Sequence, residues 1–215
     1  VYLLRFLPRG TGYAWLTAVF MSLLIWGGVF AYHWLNQPGV TIPPWRPFDP
    51  NTADAIRFGW DQISWTYGFA LVSINMAVLL TSGARLQVAS RPVTWAANLS
   101  VTGTGLIAVL AQTPLALALG WMPLDLLDLF IILRLTRSRQ SVSSVVTAFA
   151  IRSASTFMLL SALIIQRAIG MPLEFGSMSP VASLMVMLAF GIRLGLLPLN
   201  LRYSQESTFQ RGLIS

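Results

Sequence analysis

Nothing constrains a chain more than long apolar stretches that must be kept out of water, and this sequence has six of them. They run Tyr13–Leu35, Ile63–Ser82, Pro92–Ala111, Pro114–Leu133, Val142–Ile165 and Pro180–Leu201. A helix needs roughly 20 predominantly apolar residues to cross about 30 Å of hydrocarbon. Only Gln112 and Thr113 separate the third stretch from the fourth. Pro114 then suits the first turn of a new helix, so a tight hairpin is expected there. Charged residues make up 10% of the chain, where a soluble domain carries about a quarter. The expected fold class is all-α: a polytopic transmembrane helix bundle of about six spanning helices, forming a single transmembrane domain.

The same composition excludes several functions. The chain has no Cys and a single His, His33, so disulfides, thiolate chemistry and imidazole metal clusters are ruled out. No Gly-rich phosphate loop and no nucleophile–base pair is visible, so no cofactor, no metal and no catalytic site of its own is expected. The net charge of +7 comes from fourteen basic residues, all Arg, against seven acids. Basic residues that bind nucleic acid cluster on one face among polar neighbours; these sit mostly in short gaps between apolar runs, so no nucleic-acid partner is expected. His33 reads as interfacial, Thr102–Gly105 as a close-packing segment, and Met178, Met185 and Met187 as packing residues.

Counting Arg by side gives the orientation. If the helices alternate, Arg5, Arg9, Arg85, Arg91, Arg134, Arg137, Arg139, Arg202 and Arg211 share one side. The other side receives Arg46, Arg57 and Arg167. The positive-inside rule then places both ends on the cytoplasmic side. Residues 36–62, rich in Pro and carrying Trp45, Phe48 and Trp60, read as a loop lying on the opposite membrane surface. The expected localisation is integral, in a bacterial cytoplasmic (inner) membrane.

Four charges remain inside the apolar runs: Asp125, Asp128, Arg152 and Arg193. Charges at bilayer depth are costly and face a partner or a hydrated cavity. At about 1.5 Å of rise per residue, all four lie roughly 9 to 15 Å from the inner helix ends, in one layer. Asp125 and Asp128 share a helix face, and Thr156 lies one turn from Arg152, with Ser153 and Ser155 nearby. Two acids and two bases sum to zero, as a salt bridge or an ion path requires. In the sixth stretch Gly191, Gly195 and Pro198 bracket Arg193. Pro198 removes a backbone donor, so this last helix is expected to be discontinuous, a device on which transporters build ion sites.

Ala189-Phe190-Gly191-Ile192-Arg193-Leu194-Gly195-Leu196-Leu197-Pro198-Leu199-Asn200 resembles the broken helix of the antiporter-like proton-pumping subunits of respiratory complex I. Those subunits are related to multi-subunit sodium/proton antiporters. Trp60-Asp61-Gln62-Ile63-Ser64 is similar to that family's Asp-Gly-Leu-Ser, and Leu119-Gly120-Trp121 to the approach to its Trp-Glu pair. The resemblance covers most of the chain and corresponds to the family's second to seventh helices. It implies a membrane subunit of an ion (proton) translocating or redox-linked complex, a non-catalytic part of a quinone-linked translocase. In that family an inverted set of five helices follows, so the chain is expected to be a fragment of a longer one or else a shortened member.

This sequence departs from the family at its titratable positions. The family's Glu falls at Met122, its Lys at Arg193 and its His at Asn200. Asp125, one turn beyond Met122, can supply a carboxylate on a similar face. Arg keeps the positive charge but does not release its proton at ordinary pH, and Asn200 hydrogen-bonds without titrating. The expected ion or proton path is therefore Asp125, Asp128, Arg152, Arg193, Asn200 and Thr156. Its expected partners are protons or monovalent cations, the lipid bilayer and other membrane subunits. The alternative is a degenerate scaffold subunit that keeps the fold without transporting.

Overall fold

Lipid offers no hydrogen bonds to a backbone, so each apolar stretch must pair its own N–H and C=O groups, and a helix does so within one segment. The computed structural model describes residues 10–35, 39–42, 56–83, 92–135 and 139–195. They form α1 (Gly10–Leu35), β1 (Val40–Ile42), β2 (Ile56–Phe58), α2 (Gln62–Gly83), α3 (Pro92–Val109), α4 (Pro114–Leu135), α5 (Arg139–Ala168) and α6 (Pro180–Arg193). The fold is an all-α polytopic bundle.

Four helices contain spans long and apolar enough to cross a membrane: Gly12–Leu35, Gln62–Ser82, Pro114–Arg134 and Val145–Ala168. The other two are shorter, with apolar segments Val93–Val109 and Pro180–Arg193. At about 1.5 Å per residue, the described part of α6 reaches only about 21 Å. It ends at Arg193 with Leu194 as its C-cap, and Gly195 follows at φ 70°, a conformation only Gly adopts without strain. The described sixth helix thus ends before Pro198. Pro198, Asn200 and the expected end at Leu201 lie outside the described residues. A second departure lies in the stretch read as loop 36–62. There β1 and β2 pair antiparallel, Val40 with Phe58, Thr41 with Arg57 and Ile42 with Ile56.

The chain divides into two compact units, one holding α1–α3 and the other holding β1, β2 and α4–α6. In the first, α1 and α2 run antiparallel and are tied by polar groups at successive levels. The Trp15 indole N–H donates to the Leu79 carbonyl at 2.9 Å. Asn75 donates to Ser22 at 3.1 Å, and Trp26 to Ser73 at 3.0 Å. Beyond these levels lies an aromatic layer in which Trp65 stacks on Phe69 and on His33, the latter with centroids 4.1 Å apart. Asp61 caps α2, its Oδ1 accepting from the Ser64 N–H at 2.5 Å. That bond, helped by further nearby N–H and hydroxyl donors, holds the exposed Asp61 carboxyl below the ordinary carboxylate range.

In the second unit, one end is closed by side chains that satisfy a bent backbone. Gln166 at the end of α5 is fully buried. Its amide donates to the carbonyls of Pro172 (3.2 Å) and Ser177 (2.9 Å) and accepts from the Ser179 N–H (2.9 Å). Ser179 in turn caps α6. Arg57 of β2 reaches Glu174 in the α5–α6 connection at 3.1 Å, and its carbonyl accepts from the Gln112 N–H at 2.9 Å. The strand pair is thereby fastened to both connections at this end. Ala182, Val186 and Ala189, buried at intervals of four and three, form the packed face of α6; Met187 points outward at 73% exposure, contrary to its reading as a packing residue.

Candidate functional site

Trp121, Asp125 and Asp128 occur at i, i+4 and i+7, so α4 presents an indole and two carboxylates along one face. Pro123 sits inside this helix between them. Lacking an N–H, it leaves the Leu119 carbonyl without its usual partner just before the charged turn. Arg152 and Thr156 occupy one face of α5, and Arg193 is the last residue of α6.

The structure brings the four charges of the apolar helices together as two ion pairs. Arg193 grips Asp125 with both terminal nitrogens: Nη1 donates to Oδ2 at 3.0 Å and Nη2 to Oδ1 at 2.7 Å. Such a fork is the strongest geometry available to the pair. Its side chains are 15% and 5% exposed, respectively. Arg152 donates to Asp128 in the second pair, whose side chains are 35% and 26% exposed. The Thr156 hydroxyl lies 3.5 Å from Asp125 Oδ2 and 3.3 Å from the Arg152 backbone carbonyl one turn back on α5. It carries one proton, so it serves only one of these two acceptors at a time.

Trp121 completes the inner pair. The Arg193 guanidinium carbon lies 4.2 Å from the centre of the Trp121 ring, and Phe190 meets that ring edge-on at 5.2 Å. A cavity of about 220 Å³ borders Asp125 and is lined by Met122, Leu126, Phe149, Ser153, Thr156 and Phe157. Met122, where the antiporter-like pattern places Glu, and Asp125 thus border one cavity. Ser153 also lines it, whereas Ser155 is fully buried and its hydroxyl has no hydrogen-bond partner. Asn200 lies outside the described residues. The sequence reading missed the position of the Trp121 ring against Arg193. The spacing of Trp121 and Asp125, four residues apart beside Pro123, was the available signal.

No protein-family profile and no curated protein sequence matches the chain. Solved structures do. A chain of the Mrp complex from Dietzia sp. DQ12-45-1b superposes with a TM-score of 0.60 at 15% identity, over 85% of this chain and 20% of that one. A chain of the membrane-bound sulfane sulfur reductase, an archaeal respiratory membrane complex, gives a TM-score of 0.52 at 14% identity. It covers 87% of this chain and 29% of its own length. The chain therefore spans between a fifth and a third of the length of these neighbours. What is shared at such identities is the fold alone, a helical bundle found in chains of multi-subunit membrane complexes.

Proposed function

We propose that the chain is a membrane subunit of an ion-translocating complex, carrying protons or monovalent cations, and that its α4–α6 unit holds a charge-coupling element of that complex. The observation that carries this reading is the meeting of two acid–base pairs in one apolar unit, beside a cavity and at the point where α6 stops. Charges are expensive at this depth, and replacing a buried pair by apolar residues is often neutral or stabilising. A purely structural role is therefore a poor reason to keep four charges. A cation or proton that enters the cavity meets Asp125 and competes with Arg193 for the carboxylate. Arg193 has no proton to give up, so the pair responds by moving rather than by titrating its base. The Gly195 bend gives the end of α6 freedom to do so, and the more exposed Asp128–Arg152 pair offers a second anion within reach along α4. The continuing discontinuous helix, the cytoplasmic location of both ends, and other membrane subunits as partners belong to the same proposal.

The scaffold reading is favoured by one observation: the Asp125–Arg193 fork is closed and buried, with no second titratable group at Met122. The intact complex in proteoliposomes separates the two. Asp125→Asn should lower ion flux at least about tenfold with assembly unchanged, while Leu184→Ala, on the exposed face of α6, should leave it intact. Equal flux from both variants removes the transport reading. Asp125→Glu, which keeps the charge, guards against a loss caused by misassembly alone.

A further inference from the structure

We propose that Trp121 is a positioning residue that assigns Arg193 to Asp125, keeping the two arginines of the site sorted between its two carboxylates. The inference rests on the charge-coupling reading but is carried by geometry that reading did not use. Asp125 and Asp128 bear the same charge and lie about 4.5 Å apart along α4. Attraction alone barely distinguishes which guanidinium takes which carboxylate. Beyond the run of the helices, a contact that distinguishes one arginine secures the sorting, and Trp121 supplies it. Its ring lies 4.2 Å from the Arg193 guanidinium carbon and one helical turn before Asp125, so α4 itself provides both a face and an anion for the same cation. Trp121 is 5% exposed, and a cation–ring contact strengthens when water is excluded. Phe190, three residues before Arg193 on α6, braces the ring edge-on with planes at 85°. A planar guanidinium can lie on a ring while its in-plane N–H groups reach a carboxylate, which a compact ammonium cannot do as well. That gives this site a reason to carry Arg rather than Lys.

The test is a graded series of fluorinated tryptophans placed at position 121 in the intact complex. Fluorination keeps the shape of the ring and withdraws electron density from its face. The ratio of folded to unfolded complex should fall stepwise, by about tenfold across the series, and the gradient should vanish in an Arg193→Met background. Trp121→Phe should retain part of the effect and Trp121→Leu none. A flat series, or a gradient that persists without Arg193, overturns the assignment. A gradient in stability together with a parent complex that carries no flux keeps the positioning role and sinks the transport reading instead.

Discussion

Breaking the inner ion pair from either side should cost different amounts, and the structure sets the order. Arg193→Met strands a carboxylate whose residue is 4% exposed, with the Thr156 hydroxyl at 3.5 Å from it. A buried charge that loses its partner costs about 3–5 kcal/mol. Asp125→Leu strands the guanidinium instead, but that cation keeps the Trp121 face, worth up to about 2 kcal/mol when desolvated. It also keeps its place at the C-terminus of α6, worth roughly 0.3–1 kcal/mol. Where the stranded carboxylate keeps its charge, Arg193→Met should therefore be the more damaging change, by about 1–2 kcal/mol, the difference between those residual contacts and a stretched hydroxyl. The double variant should lie within about 1–2 kcal/mol of the parent, because it removes both desolvation penalties with the attraction. Reversible unfolding in mixed detergent micelles, followed by circular dichroism, measures all four corners of the cycle. Additivity of the two single costs within about 0.5 kcal/mol would refute the pair. A reversed order would refute the role given to the ring.

Three further changes test other parts of the structure. Gly68→Ala places a Cβ 2.5 Å from the Trp60 ring and should destabilise the α1–α3 unit by about 1–3 kcal/mol in the same unfolding assay. Gln166→Leu keeps the volume but removes three hydrogen bonds at the α5–α6 connection; limited proteolysis between Ile169 and Ser179 should accelerate, reflecting about 2–4 kcal/mol of lost local stability. The Asp61 cap has a defined pH sign. Its carboxyl is held below the ordinary range in the fold, so its contribution is complete above that range and fades as pH falls through the lowered value. The protection factor of the Ser64 amide, with the intrinsic pH dependence of exchange divided out, should fall on acidification, and Asp61→Asn should flatten that dependence while keeping the cap.

Most of the bundle was legible because membrane burial is written in runs, and runs survive without knowledge of neighbours. The start of α4 at Pro114 follows from chemistry local to one residue. The strand pair Val40–Ile42 and Ile56–Phe58 was not legible, since three-residue strands lack a period and are fixed here by Arg57 reaching Glu174 and the Gln112 amide. Gln166 was hidden for a related reason. A single amide at a helix end reads as polar flanking until the chain turns back and presents three backbone groups to it.

The site itself was half legible. Four charges at one depth announced themselves by their cost, but depth does not state who pairs with whom. Asp125–Arg193 and Asp128–Arg152 are fixed by the antiparallel run of α5 beside α4 and the parallel run of α6, together with an indole that touches Arg193. With the carboxylate at position 125 and Met at 122, the anion stands one turn beyond Trp121, where a cation touches ring and anion together. That location rewards a flat, permanently charged fork over a titrating amine. A base that cannot discharge stays a fixed cation, and α6 ends at this residue, with Gly195 two positions on. Placing Lys at position 193 should therefore weaken the ring contact and the fork together, and Met122→Glu with Arg193→Lys should recover pair stability better than Arg193→Lys alone. If the single Lys variant already matches the parent in unfolding, the fork and the ring contribute nothing that a point charge does not.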